Sequence, residues 1–319
     1  MSKTPIILDV DTGIDDIFAL MLAAASDYLE IKAVTTCFGS STLEQVTMNT
    51  LRVMELLGLE NVPLARGAAK GILSSLRYST MGRGVLEPDG TCGMTSKLHF
   101  PKKSPENLSA VELIAKTVEE TDESIILICC GPLTNIATFI LAHPNLLYKI
   151  KGIAFAGGAI FGGDVLPTAE FNVESDPEAA EIVLNSGLKI FMCGLDCTSK
   201  AVATFEDRER FRLSGSRIAK EMYEPLKKLG EFSEVEMHRD GLPIADAAPV
   251  AWLLAPDIFE VKPYHVEIDL GGRYTRGCTV TDTNGSLGLP ANTVVATSVD
   301  REEYIKLINA AFKSYKKSK

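Results

Sequence analysis

Short apolar runs alternating with helical stretches constrain this chain more than any other feature. Residues 5–10 (PIILDV) form a compact β-branched run, the pattern of a parallel strand buried on both faces. Residues 15–25 then read as a helix with acids in its first turn, where the helix dipole favours them. The alternation continues with a strand at 31–38, helices at 42–59 and 110–120, a strand at 124–130 and a helix at 133–142. A strand at 153–156, a helix at 176–185 and a strand at 189–193 follow. Strands separated by helices lie parallel, so the expected fold is α/β: a Rossmann-like domain with a mainly parallel central sheet flanked by helices. Residues 205–229 read as charged helices, 244–254 as a further helix, and 261–270 and 277–282 as edge strands. The stretch 66–104 lacks periodicity and is rich in Gly, Ser and Pro, as active-site loops are; 230–243 reads as a shorter loop of the same kind.

A length of 319 residues sets a prior of two domains. No repeat, linker or composition shift divides the chain, so one domain spanning 1–319 is expected. Acids outnumber bases to a net charge of −10, which argues against binding to nucleic acid or to an anionic membrane. The seven cysteines are odd in number, contain no CxxC pair and lie mostly in or beside apolar runs, as in a reduced compartment. No apolar stretch approaches the roughly 18 residues that span a bilayer. A cytoplasmic location is the expectation.

The surplus of acid is concentrated. Asp9, Asp11, Asp15 and Asp16 fall within LDVDTGIDD, at the carboxyl end of the first strand, where open α/β sheets bind ligands. Helix capping and dipole pairing account for one or two of these acids but not for four, because like charges so close repel unless a cation joins them. Oxygen ligands without His or Cys point to Ca²⁺ or Mg²⁺. Two chemistries use such a cluster. Phosphoryl transfer on an aspartate wants Asp-x-Asp-x-Thr or Val, whereas Gly13 holds the fifth position here. Metal-assisted hydrolysis needs one acid as base and others as ligands.

DVDTGIDD resembles the Asp-x-Asp-x-Gly-x-Asp-Asp opening of the inosine–uridine-type nucleoside hydrolases. Gly131-Pro132-Leu133-Thr134-Asn135 is similar to that family's central motif, and Ala169-Glu170-Phe171-Asn172 with Asp176-Pro177-Glu178 to its ribose-binding segment. Residues 244–254 resemble its late metal-binding helix, and Thr275-Arg276-Gly277 a C-terminal element. The likeness runs in order from about residue 5 to 300. It implies hydrolysis of the N-glycosidic bond of ribonucleosides to free base and ribose, and a homo-dimer or homo-tetramer. It also implies a Ca²⁺ held by Asp11, Asp16, Asp246 and the Thr134 carbonyl, with Asp11 as the general base. Asp15, Asn172 and Asp246 would meet the 2′- and 3′-hydroxyls and Glu170 the 5′-hydroxyl, with Asp9 supporting Asp11.

Several positions depart from the family pattern. Ser40 stands at a substrate-contacting position where Asn is usual, and Asp164 where Gly-Asn normally precedes the ribose segment. Asp164 would sit near Glu170, so one of that pair is expected to hold a proton. Ala245 replaces the His before the last metal ligand, and Asp89 the loop His; both usual proton donors to the leaving base are therefore missing. His238 is the candidate replacement, with Tyr223, Arg239 and Asp89 as weaker alternatives. These departures leave open a hydrolase for 5′-substituted nucleosides, or a nucleoside- or ribose-binding protein without catalysis. Trp252 reads as core rather than as a stacking partner for a base.

Overall fold

A computed structural model describes residues 3–73 and 101–315. The first half alternates as expected: β1 (Thr4–Val10), α1 (Asp16–Ala25), β2 (Leu29–Thr36), α2 (Leu43–Leu57) and β3 (Leu64–Arg66), then α3 (Ala110–Glu120), β4 (Ile125–Cys129) and α4 (Thr134–Ala142). Next come β5 (Ile150–Ala156), α5 (Phe171–Ser175), α6 (Pro177–Leu184), β6 (Ile190–Cys193), α7 (Leu195–Thr198) and β7 (Val202–Ala203). The remainder comprises α8 (Phe205–Leu213), α9 (Arg217–Val235), β8 (Leu242–Pro243), α10 (Ala247–Leu254), β9 (Phe259–Tyr264), β10 (Val266–Ile268), β11 (Thr279–Thr281), β12 (Thr293–Val299) and α11 (Arg301–Ser314).

Among the described residues one eight-stranded sheet runs β3-β2-β1-β4-β5-β6-β12-β9. All neighbours are parallel except β9, which pairs antiparallel with β12. Period-2 alternation divides the apolar side chains between two cores. Ile6, Leu8 and Val10 face a core closed by α1, α2, α9, α10 and α11. Ile7, Ile125 and Leu127 face a second core under α3, α4 and α6. Both faces are covered, which is why these strands read as continuous apolar runs.

The late chain differs from its reading. Strand β12 lies inside the sheet and helix α11 packs against α1; neither was anticipated. Helix α9 continues through Gly230 to Val235, so the loop expected at 230–243 contracts to 236–241. Segment 261–270 splits: β9 is a sheet edge as expected, while β10 pairs with β11 in a separate antiparallel ribbon. Helix α10 begins at Ala247 rather than 244. Trp252 stacks on Phe191 with ring centroids 3.7 Å apart, and so belongs to the core as expected. Most of the expected loop 66–104, with Asp89, lies outside the described residues. Among the described residues no helix is long and apolar enough to cross a membrane.

Candidate functional site

From β1 the chain winds one way through β2 and β3, and beyond β4 it winds the other way. The crevice beyond the carboxyl ends of β1 and β4 is the topological switch point, where sheets of this order bind ligands. A cavity of about 920 Å³ opens there. One wall carries Asp11, Asp15, Asp16 and Asp246; another carries Asp164, Glu170 and Asn172.

Asp15 and Asp246 occupy the N-cap positions of α1 and α10, helices that pack against each other. Neither side chain caps its own helix, in contrast to Thr42, Ser109 and Asp176, whose side chains accept from the first turns of α2, α3 and α6. The capping role that would make these acids ordinary is therefore absent, although the two helix N-termini still favour negative charge beside them. One carboxylate oxygen each from Asp15, Asp16 and Asp246 lies within 4.8 Å of the others.

The hydrogen bonds orient the cluster. Gly13 N–H donates to Asp16 Oδ2 at 2.8 Å, while Asp16 Oδ1 is buried with no partner. Ser40 N–H donates to Asp11 Oδ2 at 2.7 Å, and the Ser40 hydroxyl donates to the Asp11 carbonyl. A side chain on Gly39 would overlap the Asp11 carboxylate, and one on Gly131 would lie 2.9 Å from Asp11 Oδ1, so both glycines give that carboxylate its room. Burial, then the Asp16 charge, pushes the Asp11 carboxyl well above its usual range. Burial followed by Asp15 raises Asp16 to about 8, and burial with Asp15, Asp16 and Asp11 raises Asp246 well above normal. Asp15 is raised chiefly by burial and is hydrogen-bonded to Asp246. Buried acids that repel one another, with one oxygen unsatisfied, are a donor set suited to a hard divalent cation.

Glu170 builds the second wall. Its Oε2 accepts from the amides of Gly158, Asn172 and Val173 at 2.9, 3.0 and 3.2 Å, capping α5. Burial, then the nearby Asp164 charge, raises Glu170 to about 8. The pair anticipated to hold a proton thus sits together, with Arg239 close enough to offset part of Asp164's shift. Asn172 spends both amide hydrogens on the Cys130 and Ala156 carbonyls at 2.8 and 2.9 Å, which fixes its orientation at the cavity wall.

Thr134 departs from its expected place. Its carbonyl accepts the Thr138 hydroxyl at 2.7 Å within α4, its own hydroxyl donates to Asp176 at 2.5 Å, and it does not line the cavity. Carbonyls in a helix's first turn point along the helix toward its later residues, away from the strand ends. Cys130, in the turn that leaves β4, lines the cavity instead. Sequence reasoning missed it; the signal was its place directly after a strand and before Gly131-Pro132. Asn135 is structural, donating to Asp9 Oδ1 at 2.8 Å and to the Thr36 carbonyl at 3.1 Å. Asp9 also accepts from Thr35 at 2.6 Å, lies behind the cavity wall, and is raised to about 6 by burial.

His238, Arg239 and Ala245 all line the cavity. Tyr223 is turned elsewhere: it is hydrogen-bonded to Glu209, and Arg212 lies over its ring.

Comparison with known proteins agrees with this geometry. The family model described as inosine-uridine preferring nucleoside hydrolase matches residues 6–306. A pyrimidine-specific ribonucleoside hydrolase, RihA, from Escherichia coli O1:K1 is 38% identical over 317 residues, covering 98% of this chain and 99% of that protein. A solved plant nucleoside hydrolase superposes with a TM-score of 0.87 at 25% identity, covering 98% of this chain and 99% of the other. A purine-preferring ribonucleoside hydrolase from Gardnerella vaginalis does so at 0.86 and 26% identity, covering 97% and 99%.

Proposed function

The chain belongs to the inosine–uridine preferring nucleoside hydrolase family and is a ribonucleoside hydrolase; from that premise we propose that Asp11 is its general base, that Ca²⁺ is its metal, and that His238 protonates the departing base. The observation that carries this reading is the convergence of the Asp15, Asp16 and Asp246 carboxylates at the switch point, in a cavity that Asp11 also lines.

Asp11, Asp16 and Asp246 would hold the cation, with the Cys130 carbonyl in the place first expected of Thr134. Asp15 is in reach of the same ion or of a sugar hydroxyl beside it. When bound, Ca²⁺ would offset the cluster's charge and acidify water at the site. Ser40 fixes Asp11 Oδ2, leaving Oδ1 to take the proton as water attacks C1′ of the ribose. Positive charge develops on the sugar ring as the C1′–N bond lengthens, and the acidic wall favours that charge over the neutral ground state. The ring nitrogen of the departing base takes up a proton, for which His238 is the cavity residue of suitable chemistry. Asn172 and Glu170 would orient the sugar hydroxyls.

The test is a panel of inosine, uridine and p-nitrophenyl riboside, assayed with Ca²⁺ on the parent chain and on His238→Ala. The parent should release base and ribose from at least one nucleoside. His238→Ala should lose about 10²-fold or more in kcat on nucleosides, the scale of general acid catalysis. It should leave p-nitrophenyl riboside within a few-fold, because p-nitrophenolate departs without a proton. Equal losses on both substrate types would remove His238 from that role.

One observation favours a second reading, a preference for nucleosides that carry a hydrogen-bond donor in place of the 5′-hydroxyl: Asp164 stands beside Glu170 on the cavity wall. Adding 5′-amino-5′-deoxyuridine to the panel decides it. Turnover no better than that of uridine rejects this preference.

A further inference from the structure

Both stems of the loop 236–241, which carries His238 and Arg239 into the cavity wall, are tied to one buried side chain outside the cavity, the entry directly and the exit through Ala203. Arg208 of α8 is 4% exposed. Its Nη1 donates to Glu234 Oε1 at 2.8 Å and its Nη2 to Glu234 Oε2 at 3.1 Å. Glu234 is in the last turn of α9, immediately before the loop. Nη1 also donates to the Ala203 carbonyl at 3.0 Å. Ala203 pairs with Leu242 across β7 and β8, immediately after the loop, and a side chain on Gly241 would lie 2.7 Å from that same carbonyl. One guanidinium therefore holds the loop's entry directly and its exit through Ala203.

The path of Arg208 to Glu234 runs past Gly230, four residues earlier on the same face of α9. A side chain at 230 would collide with the guanidinium, with Nη1 only 2.7 Å away. Glycine in mid-helix is otherwise unfavourable, and here it opens the passage that the arginine needs. Inside this frame the loop is tightly folded. Ser233 Oγ donates to the Gly241 carbonyl at 2.8 Å, and Arg239 N–H donates to the Ser233 carbonyl at 3.1 Å. His238 is the non-glycine residue among those described with φ in the left-handed region, at 52°. A backbone state of that kind persists where its surroundings enforce it.

A buried arginine loses hydration, and its pairing with a carboxylate is weak evidence for stability as such. What the planar fork supplies is a fixed distance and angle between the groups it bridges. We propose that Arg208 is a positioning residue for the reaction: threaded through the notch at Gly230, it sets where the 236–241 loop holds His238 against the cavity. The kinetic part of this inference rests on the role assigned to His238 above; the structural part does not.

The experiment combines Arg208→Ala, Gly230→Ala and the double variant, each read by kinetics and by limited trypsin digestion with mass-spectrometric mapping of the nick after Arg239. Arg208→Ala should lower kcat on inosine or uridine about 10²-fold, the scale of an ångström-sized misplacement. It should spare p-nitrophenyl riboside and speed the nick after Arg239 about tenfold or more. Gly230→Ala should do the same alone, yet add nothing in the Arg208→Ala background, where the channel is empty. Equal effects of Gly230→Ala in both backgrounds, equal losses on nucleosides and p-nitrophenyl riboside, or an Arg208→Ala variant with parental kinetics and nicking would each overturn the proposal. If Arg208→Ala does not fold, Arg208→Lys keeps the charge without the fork; it should show a smaller loss in the same pattern, and parental behaviour again overturns the inference. If the parent hydrolyses no nucleoside, the assigned reaction fails, while the nicking rates still decide whether Arg208 holds the loop.

Discussion

Asp11→Asn should lower kcat on any accepted ribonucleoside by about 10²–10⁴-fold, the range that a positioned general base contributes. The substitution keeps shape and can keep the bond from Ser40 N–H, so the loop at Gly39 need not move. It removes a buried charge that Asp16 and Asp15 repel. In the chelated state the variant should therefore be no less stable than the chelated parent, and its Tm unchanged or raised. The rise in Tm on adding Ca²⁺ should shrink, because a proposed ligand of the cation is altered. Assay at saturating Ca²⁺ separates a loss of turnover from a loss of metal affinity. A variant retaining more than a tenth of parental kcat under that condition would place the base elsewhere, and Asp15 would be the next acid to change. A fall in Tm of several degrees relative to the parent, with both proteins chelated, would instead mean that Asp11 holds β1 to the Gly39-Ser40 turn more than it serves the chemistry.

The first half of the fold was legible because buried parallel strands are written as unbroken β-branched runs. Residues 5–10 and 124–130 are β-branched and short for a helix, which favours a strand, and the acids at the end of β1 fall at the switch point once β1 and β4 are neighbours. The failures have particular causes. Strand β12 (TVVATSV) mixes Thr and Ser into its run, and it follows a Gly- and Pro-rich stretch that suggests a loop. Its place in the sheet interior comes from β6 and β9 on either side, which no local pattern announces. Gly230 looked like a helix stop, yet α9 passes through it because the missing side chain admits Arg208. Cys130 stands immediately before the motif at 131–135, four residues from Thr134. Seeing that the Thr134 carbonyl is engaged inside a helix required knowing that the strand ends at Cys129 and the helix begins at Thr134, a boundary that sequence patterns place poorly.

Removing the cation should reveal the repulsion in the acidic wall as a pH-dependent loss of stability. In the chelated protein Asp9 is raised to about 6, and Asp16 and Glu170 to about 8, above the roughly 4 of an unfolded chain. A raised acid binds more protons folded than unfolded. Its contribution is fully present below the unfolded pKa and is lost as pH climbs through the folded value. Stability of the chelated chain should thus fall from about pH 4 to about pH 8. Ca²⁺ acts in the opposite sense, because it favours the ionised carboxylates and binds the folded state alone. Free Ca²⁺ at 1,000 times its Kd adds about 4 kcal/mol. At about 2 °C per kcal/mol for a chain of this size, Tm should rise about 8 °C at pH 8. At pH 5 protons compete for the same oxygens, so the rise should shrink to a small fraction of that. Scanning calorimetry of EDTA-treated and Ca²⁺-reloaded protein at both pH values measures the difference directly. A Ca²⁺-dependent shift of equal size at pH 5 and pH 8 would mean that the ion binds away from these carboxylates. No shift at either pH, with the metal shown to have been removed, would mean that protons rather than a cation balance the acidic wall.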